Sequence, residues 1–215
     1  MPFVKICGIT SLPDAQTSLA AGADFLGFNF YLPSPRYISP LQASLIIKSL
    51  PPEISSVGVF VDEQSPEDVM KLATTAGIRI LQLHGQEDPQ FCAELKKHNF
   101  TIIKALRAGP DLSIKLAQSY DVDWILLDAY DPKLPGGTGK TFDWQLARQI
   151  RNSVRGSVKE RAIFLAGGLN TDNINRALST VRPDGVDVTS GVEKSPGVKD
   201  DRLIHQFIDA VRQFC

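Results

Sequence analysis

Short apolar runs that end in a polar residue or a glycine recur along this 215-residue chain, and they constrain its fold more than any other feature. The first is VKICGIT at residues 4–10, in which a thiol is followed at once by a conformationally permissive glycine. Other runs end in the carboxylate of Asp128, in the pair Gly167 and Gly168, or close to the hydroxyl of Ser190. Each run has the length and composition of a strand. The chain therefore repeatedly presents reactive or anion-binding groups where a strand ends.

Signals that open helices alternate with these strands. A serine followed closely by proline lies at residues 11–13, 39–40 and 65–66, and this order caps and starts helices. Strand starts recur roughly every 20 to 40 residues, which gives about eight βα units. The sequence thus predicts an α/β fold, a (β/α)₈ TIM barrel in one compact domain over residues 1–215. An open doubly wound sheet is the alternative. A fold of that kind typically has a glycine-rich fingerprint after its first strand, but this chain has CGIT at residues 7–10 instead.

Composition excludes several classes of partner. Lys plus Arg (23) nearly balance Asp plus Glu (24), so the net charge is −1 and the chain has no basic field for nucleic acid or anionic membrane. No leader segment and no uncharged apolar run near the ~20 residues of a membrane span are visible, so we expect a cytoplasmic protein. The cysteines Cys7, Cys92 and Cys215 lack the spacing of a disulfide framework or a metal site, and no metal is expected.

Residues at the predicted strand ends are candidates for catalysis, because a barrel builds its active site at the carboxyl ends of its strands. A lone cysteine is commonly an inert small hydrophobe, but at a strand exit the thiolate of Cys7 can act as a general base. Asp128 is either a turn residue or a general acid, since partial burial of a carboxyl group favours its protonated form. Cys92, between Phe91 and Leu95, is expected to pack in the core.

Two glycine-containing loops predict a phosphate site. Gly167 and Gly168 follow the seventh strand, and Ser190 and Gly191 follow the eighth, so backbone N–H groups can approach an anion without an intervening Cβ. Tight turns alone would explain either loop, but barrels commonly bind phosphate with this pair of loops. The loop PGGTGKT at residues 135–141 lacks the first glycine of a P-loop, and we interpret it as a lid over the site.

Arg36 and His84 are further candidates for substrate binding. Arg36 lies between Pro35 and Tyr37 near the exit of the second strand, where it forms either a surface salt bridge or a two-pronged contact with a substrate carboxylate. His84 ends the fourth strand, and both a core histidine and a site histidine fit that position.

Strand alternation predicts one buried ion pair. Lys5 faces the same side of the first strand as Cys7, so both point into the barrel if either does. The first and last strands are neighbours in a closed barrel, which brings Lys5 beside Asp187 of the eighth strand. Because an unpaired buried charge is costly, we expect these two side chains to pair beneath the site, with Asp187 also reaching the substrate.

Six short segments, taken together, resemble a known family. They are KICGIT at residues 5–10, QLHG at 82–85, LLD at 126–128, GTGKTFDW at 137–144, GGLN at 167–170 and DVTSGVE at 187–193. In this order and spacing, over the whole chain, they resemble the phosphoribosylanthranilate isomerases of tryptophan biosynthesis. Another phosphosugar isomerase or epimerase, or a non-catalytic phosphosugar-binding barrel, would share the phosphate loops and remains the alternative.

The resemblance implies an activity and assigns roles. The family converts N-(5-phosphoribosyl)anthranilate to 1-(2-carboxyphenylamino)-1-deoxyribulose 5-phosphate by an Amadori rearrangement, without a cofactor. Its general base matches Cys7, its general acid matches Asp128, and the arginine that holds the anthranilate carboxylate matches Arg36. The implied partner is a small phosphorylated substrate; whether the protein is a monomer or a homodimer is left open.

Overall fold

A computed structural model describes residues 1–107, 112–128, 144–155 and 161–214. Eight parallel strands form a closed barrel in which each strand pairs with its neighbours in chain order. The strands are β1 (Phe3–Cys7), β2 (Phe25–Asn29), β3 (Ser55–Phe60), β4 (Ile80–Leu83), β5 (Thr101–Arg107), β6 (Trp124–Asp128), β7 (Ala162–Ala166) and β8 (Gly185–Val188). Because β1 pairs with both β2 and β8, the sheet has no edge and the predicted barrel is confirmed, whereas the open sheet is excluded.

A helix follows every strand of the barrel. The helices are α1 (Leu12–Ala20), α2 (Pro40–Lys48), α3 (Pro66–Ala76), α4 (Pro89–Lys97), α5 (Ile114–Ser119), α6 (Trp144–Arg155), α7 (Ile174–Val181) and α8 (Asp201–Gln213). The predicted start signals act as caps: the side chains of Ser11, Ser39 and Ser65 each accept a hydrogen bond from a backbone N–H in the first turn of their helix. In the described part of the chain, no helix has the length and apolarity needed to cross a membrane.

Two apolar layers hold the barrel together. The outer layer lies between strands and helices and includes the predicted stripe of α8, in which Ile204 and Phe207 are fully buried. Burial of such side chains contributes roughly 2 kcal/mol each. The inner layer fills the amino-terminal end of the barrel, where Phe25 and Trp124 meet Phe164 with ring centroids 5.5 and 4.6 Å away. With that end filled by aromatic rings, the polar inward-facing residues lie at the carboxyl end.

A short hairpin between β8 and α8 is absent from the sequence prediction. After a 3₁₀ turn at Ser190–Val192, strands β9 (Glu193–Ser195) and β10 (Val198–Lys199) pair antiparallel. The hydroxyl of Thr10 donates to the carbonyl of Gly197 at 2.6 Å, which ties the hairpin to the loop after β1. The hairpin therefore covers the seam at which the first and last barrel strands meet.

Candidate active site

A cavity of about 380 Å³ opens at the carboxyl ends of the strands. Its lining includes most of the predicted site residues, namely Arg36, His84, Asp128, Gly167, Gly168, Asp187 and Ser190, together with Ala166, Leu169 and Thr189. Cys7 lies below this surface, with 7% of its area exposed. Residues that the sequence distributes over more than 150 positions thus meet at one barrel mouth.

Cys7 shares the floor of the site with an ion pair. The Lys5 ammonium lies 2.9 Å from Oδ1 of Asp187, and the two residues occupy paired positions on β1 and β8, which confirms the prediction from strand alternation. Burial alone would lower the pKa of Lys5, but the Asp187 carboxylate and the adjacent Cys7 sulfur outweigh it and raise that pKa above 10.5. Lys5 is therefore a cation in contact with the thiol.

Gly27 makes room for this arrangement. It pairs with Cys7 across β1 and β2, and a Cβ on it would lie 2.7 Å from the Cys7 sulfur and 2.9 Å from the Lys5 nitrogen. Real Cβ contacts are almost never this short. The absence of a side chain at this position is thus part of how the barrel accommodates the thiol and the ammonium side by side.

Asp128 ends β6 and has its carboxyl group oriented by a histidine. The Nε2 atom of His84 lies 3.0 Å from Oδ2 of Asp128, and Nδ1 of the same ring lies 2.9 Å from the side-chain amide nitrogen of Gln82. The Asp128 side chain is 17% exposed and lines the cavity. His84 thus lines the cavity in contact with Asp128. Its other partner, Gln82, was not among the predicted site residues.

The two predicted phosphate loops form one continuous surface. Gly167 and Gly168 both have left-handed backbones, with φ of 86° and 65°, and a Cβ on Gly168 would meet no atom within 4 Å. Gly191 packs so closely on the other loop that its Cβ would lie 2.0 Å from the carbonyl oxygen of Leu169. Open space in front of Gly168 and tight packing behind Gly191 leave a glycine-lined concavity beside Ser190 that suits an anion.

Arg36 lines the cavity and is held by a carboxylate of the hairpin. Its Nε and Nη2 atoms donate to Glu193, at 2.9 Å to Oε1 and 2.7 Å to Oε2, and its side chain is 21% exposed. Hydrogen bonding to Glu193 raises the pKa of Arg36. The predicted salt bridge is thus present, and Arg36 also lines the cavity; its contact with a substrate carboxylate stays a prediction. Glu193 had no role in the sequence prediction.

Other predicted features lie elsewhere. Cys92 is fully buried in the outer layer, as expected, and burial raises its pKa to about 12. Both the glycine-rich loop at residues 135–141, interpreted as a lid, and Cys215 lie outside the described residues. Within the described ranges, no group of three or more His, Cys, Asp or Glu side chains is arranged to hold a metal ion.

Comparison with known proteins shows which family this chain resembles. A family model described as N-(5'phosphoribosyl)anthranilate (PRA) isomerase matches residues 4–210. An N-(5'-phosphoribosyl)anthranilate isomerase from Pelobacter propionicus is 47% identical over 210 residues, which cover 98% of this chain and 95% of that protein.

Solved structures agree with the sequence relatives. The phosphoribosyl anthranilate isomerase of Thermotoga maritima has a TM-score of 0.85 at 40% identity, and the match covers 99% of this chain and 100% of that one. A phosphoribosyl anthranilate isomerase in complex with reduced 1-(o-carboxyphenylamino)-1-deoxyribulose 5-phosphate has a TM-score of 0.82 at 38% identity, with the same coverage. Since the family model and the relatives match this chain almost from end to end, the chain belongs to the N-(5'-phosphoribosyl)anthranilate isomerase family and is an isomerase of tryptophan biosynthesis.

Proposed function

We propose that this protein converts N-(5-phosphoribosyl)anthranilate to 1-(2-carboxyphenylamino)-1-deoxyribulose 5-phosphate, with Asp128 as general acid and Cys7 as general base. One observation carries the proposal: at the same barrel mouth, the base and the acid each contact a side chain that suits its role. The thiol contacts the Lys5 ammonium, and the carboxyl group is oriented by His84. An acid and a base on separate strands can then act on one substrate in the cavity between them.

The first step opens the aminofuranose ring. Asp128 gives its proton to the ring oxygen as the bond between that oxygen and C1 breaks, and the anilino nitrogen supplies the electron pair that forms a cationic Schiff base. The contact between His84 and Oδ2 orients the carboxyl group toward the cavity, which the reaction needs because proton transfer requires hydrogen-bond distance. Asp128 leaves this step as a carboxylate.

The second step moves a proton from carbon. The cationic Schiff base acidifies the hydrogen on C2, and the Cys7 thiolate removes it, so that the electron pair of the C–H bond neutralises the nitrogen and gives an enolamine. The enolamine then tautomerises to the ketone as C1 gains a proton and the C2 hydroxyl loses one. Proton exchange with solvent returns Cys7 to the thiolate and Asp128 to the acid. The Lys5 ammonium is in contact with the sulfur, and the thiolate is the reactive form of a cysteine.

Substrate recognition divides between three groups of residues at the cavity. The glycine-lined concavity formed by Gly167, Gly168, Ser190 and Gly191 receives the 5'-phosphate. Arg36 receives the anthranilate carboxylate with the guanidinium edge that Glu193 does not engage. Asp187, which lines the cavity beside its Lys5 partner, is suited to bind a ribose hydroxyl. A solved relative in complex with a reduced product analogue supports a phosphorylated small-molecule substrate.

The test is a fluorescence assay that follows loss of phosphoribosylanthranilate made in situ from anthranilate. We expect Cys7→Ala and Asp128→Ala each to lose turnover by ~10² to 10⁴-fold or more, which is the usual contribution of general acid or base catalysis. Both variants should still bind the reduced product analogue, because the phosphate loops and Arg36 are intact. Near-normal turnover by Cys7→Ser would refute the thiolate base, since a hydroxyl is far too weakly acidic to replace it.

A further inference from the structure

The hairpin between β8 and α8 contains a buried lysine that the proposed mechanism does not use. Lys199 on β10 is 1% exposed, and its ammonium donates to three oxygen atoms from three parts of the fold. The acceptors are the carbonyl of Cys7, the carbonyl of Thr189 at 3.3 Å, and Oε1 of Glu193 at 3.1 Å. An ammonium has three protons, so this set of contacts satisfies it completely.

The two carbonyl contacts lie where the barrel ladder stops. The last registered pair of β1 and β8 is Ile6 with Val188. Cys7 and Thr189 are the residues that follow these two in the chain. Lys199 therefore joins the carbonyl groups of the first two residues beyond the paired part of the strands. It fixes the carboxyl ends of the first and last strands to each other at the point where one carries the base and the other enters the phosphate loop.

The third contact links Lys199 to the residue that holds Arg36. Glu193 accepts from Lys199 with one oxygen and holds Arg36 with both. Burial of this carboxyl group opposes its ionisation, but the bonds from Arg36 and the charge of Lys199 outweigh burial and lower its pKa. The carboxylate therefore lies between the Arg36 guanidinium and the Lys199 nitrogen; burial lowers the pKa of Lys199, and the Glu193 charge opposes that shift.

We propose that the β9–β10 hairpin is a positioning element of the active site, in which Lys199 fixes Cys7 and Thr189 through their carbonyl groups and Glu193 fixes Arg36. This inference rests on the proposed function, because it concerns the placement of the same base, phosphate loop and guanidinium. Neither Lys199 nor Glu193 is a catalytic residue: Lys199 is sealed from the cavity, and Glu193 acts through Arg36.

The decisive variant is Lys199→Met, which keeps an unbranched side chain one atom shorter and removes its donors. Its matched control is Arg212→Met. Arg212 likewise donates to two carbonyls and a carboxylate, those of Pro2, Gly22 and Asp24, but at the amino-terminal end of the barrel. Wild type and variants are compared for kcat, KM and affinity for the reduced product analogue, at a temperature at which circular dichroism shows each to be folded.

We expect Lys199→Met to lower kcat by about 10²-fold and to raise KM, because a displacement of about 1 Å at a reacting group has that effect. Glu193→Gln should raise KM several-fold with kcat within about twofold, since it loosens Arg36 and leaves the carbonyl contacts in place. Arg212→Met should leave kcat and KM within about twofold. If Lys199→Met does not fold, Lys199→Gln, which keeps donors on a shorter side chain, should still lose more turnover than Arg212→Met.

Two results would overturn the proposal. One is wild-type kcat and KM in the folded Lys199 variant together with an unchanged KM in Glu193→Gln. The other is an equal loss of turnover in Arg212→Met, which would mean that general loosening of the barrel causes the effect. Failure of the proposed function is distinguishable, because wild type itself would then not turn over phosphoribosylanthranilate, or Cys7→Ala would remain active.

Discussion

Replacing Gly27 by alanine tests the role of Cys7 without altering the thiol itself. The added Cβ would lie 2.7 Å from the Cys7 sulfur, 2.9 Å from the Lys5 nitrogen and 3.1 Å from the Cα of Cys7. Ordinary van der Waals contact begins at 3.4 Å, so the sulfur must move by about 0.7 Å. The backbone contact is less severe and needs a shift of about 0.3 Å, so most of the displacement falls on the side chains of Cys7 and Lys5.

The size of the effect follows from that displacement. Misplacement of a reacting group by about 1 Å can cost roughly 10²-fold in rate, so we expect kcat to fall by roughly 10- to 100-fold. This corresponds to about 1.4 to 2.7 kcal/mol in the activation barrier. Affinity for the reduced product analogue should change little, because the three atoms nearest the new methyl group belong to Cys7 and Lys5, not to the phosphate loops or Arg36. The assay is the fluorescence decay of phosphoribosylanthranilate under saturating conditions.

Gly185→Ala is the control for general strain in the barrel. A Cβ there would lie 2.3 Å from Cε1 of Phe164, in the aromatic layer at the opposite end of the strands. Overpacking of this kind costs about 1 to 3 kcal/mol in stability, but it does not displace Cys7. We expect lower stability with kcat close to that of wild type. Wild-type kcat in Gly27→Ala, or an equal loss in Gly185→Ala, would refute the reasoning.

Three further predictions follow from the ion pairs and the buried thiol. Lys5→Met should lower the free energy of unfolding at pH 7 by about 3 kcal/mol in urea titrations, because it leaves the Asp187 carboxylate buried and unpaired. The pKa of Lys5 is raised, so this difference should persist up to about pH 10.5 and shrink only as the pH rises through the higher folded value; a decline below pH 9 would contradict it. Arg36→Met should raise KM with kcat largely retained. An unchanged KM would show that Arg36 does not bind the substrate. Iodoacetamide at pH 8 should leave Cys92 unmodified in the folded protein, since its pKa is about 12, while it inactivates the enzyme at Cys7; peptide mapping by mass spectrometry with and without product analogue distinguishes the two.

The sequence by itself determined the barrel and which candidate residues meet at its mouth. Strand and helix boundaries depend on local signals such as the caps at Ser39 and Ser65, and a repeated βα pattern has few closed arrangements. Once closure is assumed, alternation along each strand decides which side chains face inward. That is why the pair of Lys5 with Asp187 could be predicted across 182 positions of sequence.

Tertiary structure alone decided how the site is supported. The hairpin that carries Glu193 and Lys199 consists of a three-residue and a two-residue strand in a polar segment with a proline, which gives no periodicity to read. The contact of Lys199 with the Cys7 carbonyl joins residues 192 positions apart, and neither strand alternation nor a motif predicts it. Likewise, the need for glycine at position 27 arises from side chains on the neighbouring strand. Local patterns specify the secondary-structure elements and the direction of their side chains. The partners of a buried cation depend instead on which carbonyls and carboxylates the completed fold brings within hydrogen-bond distance.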